Sequence, residues 1–515
     1  MRSAARTRPP SRWRRSAPAW SPSGSCSSSS GDTSTSGRRR SSPGWTCCGR
    51  SIGPPLPTAT SVATTWACRG RTSTGSRRCA PTRQSSRARS TSHVAVLGAR
   101  VPDTSLALRV HDTLAGRKVR VEPREERGRK LLRLYVCGIT PYDSGHIGHA
   151  FTFCVYDVLV RFVEASGVRV RYVQNVTDVD DPLFERARRD GVDWRELAES
   201  EVAVHIRDMG SLGWRVPDFM PRVSGEITPI LRAATKLHSN GYAYKTDALY
   251  FDASRYRGYG NLSHRTRRSM IRKLREEGLL GTVGPGAKQD ALDFPLWRSS
   301  RPEEPAWPSR FGEGRPGWHI ECSAMAMRYL GEQIDIHGGG RDLAFSHHES
   351  ERAQSECLTG KVPFARAWMH TGLVRYEGKK MSKSLGNLVL IPQALERAPA
   401  AAVRLYLASH RYGRDWEFRW SGLAQAARLA ERVRILLAGE RAGVGTAQPA
   451  ATGRVGPNKG MAAGTRRLVD QFNRVLADDL DTPGALRVLR TALREGDAPA
   501  VRWMMGILAG TASLT

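Results

Sequence analysis

A loop rich in glycine and histidine spans 137–149 and reads Cys-Gly-Ile-Thr-Pro-Tyr-Asp-Ser-Gly-His-Ile-Gly-His. It follows an apolar run and precedes a helical pattern, and backbone N–H groups at a helix start favour an anion. His146 and His149 can project from the same first turn, while Gly148 would let a flat ring approach the backbone. The loop therefore predicts a phosphate or nucleotide site. Two ordinary surface histidines beside a turn would give the same spacing.

A second loop, 377–387, carries clustered lysines between glycines and reads Glu-Gly-Lys-Lys-Met-Ser-Lys-Ser-Leu-Gly-Asn. Compact lysine charges on such a loop can close over a triphosphate and neutralise it as pyrophosphate leaves. A lysine run taken alone is more often a solvated surface. The combination with the histidine loop favours nucleotide chemistry.

Soft metal ligands are scattered along the chain. Cys137 ends the first apolar run, Cys322 ends the stretch Gly-Trp-His-Ile-Glu-Cys, and His347 and Glu351 lie four apart on one helical face. Two thiols, an imidazole and a carboxylate form a plausible tetrahedral zinc shell, although their spacing matches no compact zinc finger. Without the two loops, four unrelated residues would be the simpler interpretation.

The elements that must position these residues follow from hydrophobic periodicity. Apolar runs at 131–138 and 168–176 predict strands, and the pattern at 149–165 predicts a helix between them. Strand, helix and strand form a βαβ unit, so we expect an α/β fold with a parallel, doubly wound sheet. A second unit is predicted from a strand at 333–336 and a helix that starts near His347.

The predicted domain organisation has three parts, of which the first is a basic segment at 1–93. Residues 105–395 form an α/β domain, split by an insertion at about 195–312 that is mostly helical and then loop-rich. Residues 396–515 form a helical bundle, with a Gly/Ala-rich linker at 439–460.

Composition excludes several classes of protein. The chain has 515 residues, of which 40% are hydrophobic and 25% charged, and it can bury a sizeable core. Its nine cysteines do not form a disulfide scaffold, and no apolar run reaches the roughly 18 residues of a membrane helix. We expect a cytoplasmic protein with no membrane partner. The net charge of +31 indicates an anionic partner where that charge lies on folded surface.

Residues 1–93 differ from the rest of the chain. They contain 17 Arg, no Lys and a single acid, Asp32, and show no helical or strand period. We expect a disordered basic segment that is spurious, from a misplaced start codon or DNA read out of frame. An organelle transit peptide and a genuine basic tail are the alternatives.

The histidine and lysine loops together resemble the two signatures of class I aminoacyl-tRNA synthetases. Residues from about 106 to 425 resemble cysteinyl-tRNA synthetases in particular, with further matching stretches at 172–181, 314–325 and 335–342. The resemblance implies a Rossmann-like catalytic domain split by an insertion and followed by a helical bundle. It also implies ATP-driven activation of cysteine through an aminoacyl adenylate.

The resemblance also implies a role for individual residues. Zinc would be held by Cys137, Cys322, His347 and Glu351. The cysteine substrate would be lined by Thr140, Thr177, Trp318 and Asp342. ATP, with Mg²⁺, would be bound by His146, Gly148, His149, Gly340, Lys380 and Lys383, and the catalytic residues would be His146, His149, Lys380 and Lys383. Zinc binds a thiolate better than a hydroxyl, so cysteine would be separated from serine without an editing site.

The acceptor of the activated cysteine is the open question. We expect tRNA, because Glu351 completes the zinc shell and the chain outside 1–93 stays basic. Candidate tRNA contacts in the insertion are Arg265, Arg267, Arg268, Arg272, Lys273 and Arg275. The alternative is the amine of glucosaminyl inositol, used by the related mycothiol cysteine ligases. The stretches at 139–143, 173–176 and 412–417 favour that enzyme, as does the short tail after the lysine loop.

A binding or regulatory module that has lost catalysis is a third possibility. The intact loops and the four predicted ligands argue against it. We expect a monomer.

Overall fold

The computed structural model describes residues 107–142, 145–381, 386–443 and 461–510, with the backbone alone for 440–443. The predicted basic segment 1–93, Lys383 and most of the predicted linker 439–460 lie outside these ranges.

The described chain contains short and long strands in several small sheets and one central sheet. The strands are β1 (Arg109–Asp112), β2 (Arg117–Arg120), β3 (Arg124–Glu126), β4 (Arg129–Ile139), β5 (Arg169–Val176), β6 (Ala243–Lys245), β7 (Leu249–Phe251), β8 (Phe294–Arg298), β9 (Arg315–Pro316), β10 (Ile334–Gly340), β11 (Ala365–Thr371), β12 (Val374–Tyr376), β13 (Lys379–Lys380) and β14 (Trp416–Glu417).

Helices cover the central sheet and make up most of the C-terminal part. They are α1 (Ile147–Ala165), α2 (Asp181–Asp190), α3 (Trp194–Ser211), α4 (Ile227–Ser239), α5 (Arg267–Glu276), α6 (Trp318–Leu330), α7 (Glu349–Thr359), α8 (Ile391–Arg397), α9 (Ala400–Ala408), α10 (Trp420–Gly443), α11 (Ala463–Ala477), α12 (Thr482–Arg494) and α13 (Ala498–Leu508). A π-helical turn, Ala344–His348, precedes α7.

The central sheet is mainly parallel, as predicted. β4 pairs in parallel with β5 on one side and with β10 on the other, and β10 pairs in parallel with β11. Only the short β3 runs antiparallel, beside the start of β4. Val136 lies opposite both Gln174 and Gly338, so the carboxyl ends of three strands meet at one edge. Ligands of open α/β sheets bind at such an edge.

Helix α1 forms where the apolar period predicts it. Its first turn is capped by His146, and its apolar face, which includes Phe151 and Leu159, is fully buried. The helix ends at Ala165, and Gly167 then takes a positive φ of 81° that only glycine adopts without strain. The strand–helix–strand unit of β4, α1 and β5 is confirmed.

The insertion differs from its predicted helical and loop-rich character. It contains α4, α5 and the strands β6, β7 and β8, which pair antiparallel, and β9, just beyond residue 312, completes this sheet. These strands have only two to five residues, and β8 pairs with β9 across a long loop, for example Trp297 with Pro316. Such short strands are fixed by non-local pairing, so their local sequence carries little period.

Helices α8 to α13 pack onto the catalytic sheet through α1. One hydrophobic core runs from Phe151 in α1 to Val501 in α13. Arg404 is buried in this interface, where it pairs with Asp157 and donates to the Leu508 carbonyl. This core contains residues on both sides of 395/396 and so does not test the predicted domain boundary, which stays a prediction. No helix in the described part of the chain is long and apolar enough to cross a bilayer.

Candidate active site

A cavity of about 380 Å³ lies at the carboxyl edge of the central sheet. Of the residues that the sequence singles out, those lining it are Cys137, Thr140, His146, Gly148, His149, Thr177, Trp318, Cys322, Gly340, Asp342, His347 and Lys380. Glu351 is buried in contact with Cys137, and Lys383 lies outside the described residues. The predicted site residues are therefore brought together from five separate segments of the chain.

One end of the cavity carries the four predicted metal ligands, here called the metal end: Cys137, Cys322, His347 and Glu351. Their ligand atoms all lie within 4.8 Å of one another, and all four side chains are buried. Cys137 comes from β4, Cys322 from α6, and the other two from the π-helical turn and the first turn of α7. The i,i+4 spacing places His347 Nε2 3.1 Å from Glu351 Oε1, as expected for one helical face.

The separations at the metal end suit zinc. The two sulfur atoms are 3.8 Å apart, and Cys137 Sγ lies 3.5 Å from Glu351 Oε1. Two thiolates on a tetrahedral zinc ion, with bonds of about 2.3 Å, stand about 3.8 Å apart. The donor set and the sulfur separation therefore both fit a tetrahedral zinc shell, and three of its four ligands line the cavity.

Burial controls protonation at the metal end. It raises the pKa of the Cys137 thiol and of the Glu351 carboxyl, and it lowers the pKa of the His347 imidazole. Each of these groups alone favours its neutral form. A divalent cation bound among them would stabilise the anionic forms of the thiol and the carboxyl.

Four more buried histidines surround the metal end and were not singled out from the sequence. His337 Nε2 lies 3.0 Å from Glu351 Oε2, and His319 Nδ1 lies 3.0 Å from His347 Nδ1. His348 contacts Cys137 Sγ at 3.3 Å and His370 at 2.8 Å. Partners of this kind orient metal ligands and fix their tautomers.

Two of these histidines form a second ligand set with Cys137 and Glu351. The set Cys137, His337, His348 and Glu351 is equally close. However, His337 and His348 do not line the cavity, whereas Cys137, Cys322 and His347 do. We therefore take the predicted set as the one that can meet a ligand in the cavity.

A second group of lining residues, here called the nucleotide end, comprises His146, His149, Asp342 and Lys380. The His146 and His149 rings stack with centroids 4.0 Å apart. His146 Nδ1 accepts the N–H of Gly148 at 3.0 Å, so in the neutral imidazole the proton lies on Nε2. Burial, together with the charges of His149 and Lys380, lowers the pKa of His146 to about 2. His146 is therefore a neutral hydrogen-bond donor at physiological pH.

The glycines of this region are required first by the protein's own packing. A Cβ on Gly148 would lie 2.6 Å from the His146 ring, and a Cβ on Gly338 would lie 2.5 Å from the Tyr156 ring. A Cβ on Gly340 would meet Asp342 Oδ1 at 2.5 Å. The packing of the folded protein therefore requires glycine at 148 and 338, and this reason is separate from the approach of a flat ring expected at Gly148.

Lys380 and Asp342 both line the cavity and form an ion pair. Lys380 Nζ lies 2.9 Å from Asp342 Oδ2, and its side chain is 52% exposed. Desolvation in the cavity raises the pKa of Asp342, but the Lys380 ammonium outweighs it and holds that pKa below its usual range. Asp342 is therefore an anion, available to a substrate ammonium or hydroxyl group.

Further lining residues come from the ends of β4 and β5 and from the start of α6. Asn175 positions them, because its Oδ1 accepts the Gly138 N–H at 2.9 Å while its Nδ2 donates to Thr177 Oγ1 at 3.0 Å. Trp318 stacks on the His347 ring with centroids 4.2 Å apart. Thr140 also lines the cavity and donates to Asp180 Oδ2 at 3.4 Å. Asn175 is a positioning residue that only its place in the matching 172–181 stretch could have indicated.

Comparison with known families assigns the fold and its family. The sequence profile described as tRNA synthetases class I (C) catalytic domain matches residues 124–428. The chain belongs to this family. It is thus a class I synthetase-type enzyme of the ligase class, from a family that uses ATP, and the predicted resemblance and fold class are confirmed.

Curated relatives of this family member fall into two groups. An L-cysteine:1D-myo-inositol 2-amino-2-deoxy-alpha-D-glucopyranoside ligase of Frankia alni is 47% identical over 357 residues, which are 68% of this chain and 81% of that protein. A cysteine--tRNA ligase of Dehalococcoides mccartyi is 39% identical over 389 residues, which are 75% of this chain and 80% of that protein.

A solved structure supports the fold alone. Methionyl-tRNA synthetase of Mycobacterium tuberculosis, bound by methionyl-adenylate, aligns with a TM-score of 0.54 at 14% identity and covers 75% of this chain and 93% of that one.

Proposed function

We propose that this class I enzyme activates cysteine with ATP to cysteinyl-AMP and transfers the cysteine to the 3′ end of tRNA. The observation that carries the proposal is the lining of one cavity. It combines two thiols and an imidazole, which cluster with a buried carboxylate, with stacked histidines and a lysine–aspartate pair. Such a lining would suit a small amino acid whose side chain binds a metal ion.

The metal end would select the side chain. Cys137, Cys322, His347 and Glu351 would hold zinc, and zinc, when bound, supplies a Lewis acid that takes the substrate sulfur as thiolate. The protein's own part is to keep these ligands dry and fixed, since hydrogen-bonded partners such as His337 restrict them. Trp318 and Thr177 would close the wall around the substrate.

The nucleotide end would promote the first step. A carboxylate oxygen of cysteine attacks the α-phosphorus of ATP, the bond from that phosphorus to the bridging oxygen breaks, and pyrophosphate leaves. No general base is required, because the attacking group is already an anion. Neutral His146 would donate from Nε2 to a phosphate oxygen, and Lys380, with Lys383, would neutralise the charge of the leaving pyrophosphate, assisted by Mg²⁺.

The second step would use a hydroxyl at the 3′ end of tRNA. It attacks the carbonyl carbon of the adenylate, the new ester bond forms, AMP leaves with the bonding electrons, and the hydroxyl proton passes to a phosphate oxygen of the leaving AMP. The cysteine--tRNA ligase relatives support this acceptor. A cytoplasmic location and a monomeric state belong to the same proposal.

A second acceptor is supported by the Frankia alni relative, whose name specifies an aminosugar–inositol ligase. In that case the amine of glucosaminyl inositol attacks the same carbonyl carbon. The first step and its residues would be unchanged.

Acceptor competition tests the proposal. Purified full-length protein, labelled cysteine and ATP are incubated with tRNA, with glucosaminyl inositol, or with both. We expect label at the tRNA 3′ end. Label on the aminosugar alone would replace the first acceptor by the second, and the absence of cysteine-dependent pyrophosphate exchange would contradict the activation step itself.

A further inference from the structure

A chain of hydrogen bonds leads away from the metal end through two histidines. His348 Nε2 lies 3.3 Å from Cys137 Sγ, and His348 Nδ1 lies 2.8 Å from His370 Nε2. The second nitrogen of His370, Nδ1, lies 2.7 Å from the Thr113 hydroxyl oxygen. Both nitrogens of each imidazole therefore contact a partner, and the chain connects a predicted metal ligand to a threonine that belongs to none of the predicted sites.

Four separate elements supply the members of this chain. Cys137 lies in β4, His348 ends the π-helical turn, His370 lies in β11 and Thr113 directly follows β1. His348 and His370 are buried, with exposed fractions of 0% and 5%. Thr113 and His370 line a second cavity of about 770 Å³, whereas Cys137 lines the first. The chain therefore joins the walls of two cavities through the protein interior.

The sulfur of Cys137 sets the direction of donation along the chain. Burial lowers the pKa of both imidazoles, to about 3 for His370, so each ring has one N–H donor and one acceptor nitrogen. A thiol at Cys137 could donate to His348 and direct every bond towards Thr113. A sulfur that binds zinc is a thiolate, which has no proton and can only accept. A bound metal therefore requires the opposite direction.

With the sulfur as acceptor, each donor in the chain follows in turn. His348 donates from Nε2 to the sulfur, so its Nδ1 accepts from His370 Nε2. His370 Nδ1 then has no proton and accepts from the Thr113 hydroxyl. In the described part of the chain this hydroxyl makes no other hydrogen bond, and the carboxylate nearest to His348 Nε2, that of Glu351, is 3.9 Å away. Thr113 is therefore the first donor.

We propose that Thr113 and His370 are positioning residues that hold the N–H of His348 against the sulfur of Cys137. This inference rests on the metal site of the proposed function, and it identifies the side chains that would tune that site. A hydrogen bond to a metal-bound thiolate fixes the orientation of the ligand and draws charge from the sulfur. Zinc held by such a sulfur would remain a stronger Lewis acid towards the thiolate of the substrate.

The test removes the first donor, because Thr113 is separated from the metal ligand by two imidazoles. Thr113→Val keeps the shape of the side chain and removes the hydroxyl. In the full-length protein loaded with cobalt, the sulfur-to-cobalt charge-transfer band should move to longer wavelength, since the sulfur would carry more charge. Zinc affinity, measured by competition with a chelator, should fall by about tenfold, the lower limit for a lost partner of a metal ligand.

Matched variants separate the hydroxyl from a general effect on folding. Thr113→Ser keeps the hydroxyl and should retain the wild-type band and zinc affinity. Thr491→Val is the control, because the Thr491 hydroxyl bonds within α12 and lines neither cavity, so both measurements should stay at the wild-type values. If Thr113→Val does not fold, Thr113→Ala removes the same hydroxyl and replaces it.

The outcomes distinguish this inference from the proposed function. A wild-type band and zinc affinity in Thr113→Val would overturn the inference and leave the proposed function standing. Equal changes in Thr113→Ser or in Thr491→Val would also overturn it. If the wild type binds metal and Thr113→Val shifts the band, but cysteine-dependent pyrophosphate exchange is absent, the proposed function fails and the inference stands. A wild-type chain that binds neither zinc nor cobalt would contradict both.

Discussion

The metal end and the nucleotide end of the cavity differ in how far their charged and metal-binding side chains are buried. At the metal end, the four predicted ligands are buried. Two further histidines contact two of these ligands, since His337 lies against Glu351 and His319 lies against His347. At the nucleotide end, Lys380 is half exposed, and its ion-pair partner, Asp342, is itself 40% exposed. The first arrangement is preorganised for one atom, whereas the second carries charge that a large, leaving anion can reach.

This difference follows from what each end would have to do. Choosing sulfur over oxygen requires fixed, desolvated ligands, since small errors in position weaken a metal bond. Neutralising a triphosphate and then releasing pyrophosphate requires charges that stay near solvent. Substitutions should therefore abolish function at the metal end and slow a step at the nucleotide end.

The largest expected effect is at the metal end. Cys322→Ser removes one of two thiolate ligands, so zinc content and cysteine-dependent pyrophosphate exchange should fall together. The loss of zinc affinity and of exchange activity should be larger than the loss of about 10–100-fold that is typical when a hydrogen-bonded partner of a metal ligand is removed. Cys357→Ser is the matched control, because Cys357 is half-buried and belongs to neither ligand set. Metal analysis and exchange assays measure both variants, and full activity in a zinc-free Cys322→Ser protein would contradict the role of the site.

The next effect tests the nucleotide end. Lys380→Ala should reduce the rate of adenylate formation by about a hundredfold with little change in the apparent affinity for cysteine, since its charge matters most as pyrophosphate separates. Lys379→Ala is the neighbouring control, because Lys379 is exposed and does not line the cavity. Single-turnover kinetics separate the rate from binding. A Lys380→Ala protein that is slow only because cysteine binds poorly would remove the contrast between the ends.

Part of this site can be predicted from the sequence, because the spacing of residues close together in the chain indicates it. The unit of β4, α1 and β5 follows from apolar periodicity, and the i,i+4 spacing of His347 and Glu351 gave their proximity. Cys137 and Cys322 were joined to them only through the family resemblance, since 185 positions separate the two thiols.

The remainder depends on packing that no local pattern contains. His337 and His370 meet the metal end because β10 and β11 are neighbours in the sheet, which their sequence positions do not indicate. The strands β6–β9 are too short to show a period. Gly148 also has a packing role that the sequence does not indicate, because the His146 ring occupies the space that a Cβ would need.

A smaller effect should come from the outer histidines. His337→Phe keeps a ring against Trp368 but removes the nitrogen that lies 3.0 Å from Glu351, so zinc affinity should fall by about 10–100-fold. His337→Gln retains a donor and should lose less. Competition with a chelator measures both affinities. Equal affinities in His337→Phe and the wild type would show that burial alone, without this contact, orients Glu351.

The smallest effect concerns the pH dependence of the nucleotide end. Burial first, and then the charges of His149 and Lys380, lower the pKa of His146 from its ordinary 6.5 to about 2. The folded protein therefore does not protonate His146 when the unfolded chain does, and the contribution of His146 to stability falls as the pH drops from about 6.5 towards 2.

Between about pH 5 and pH 8, however, His146 stays neutral in the folded protein. His146→Asn should thus lower the rate of adenylate formation while leaving the shape of its pH profile unchanged over that range. Pyrophosphate exchange measured across these pH values checks this. An inflection near pH 6 in the wild type that disappears in His146→Asn would mean that His146 acts as a titrating cation, and the nucleotide end would then depend on protonation as well as on lysine charge.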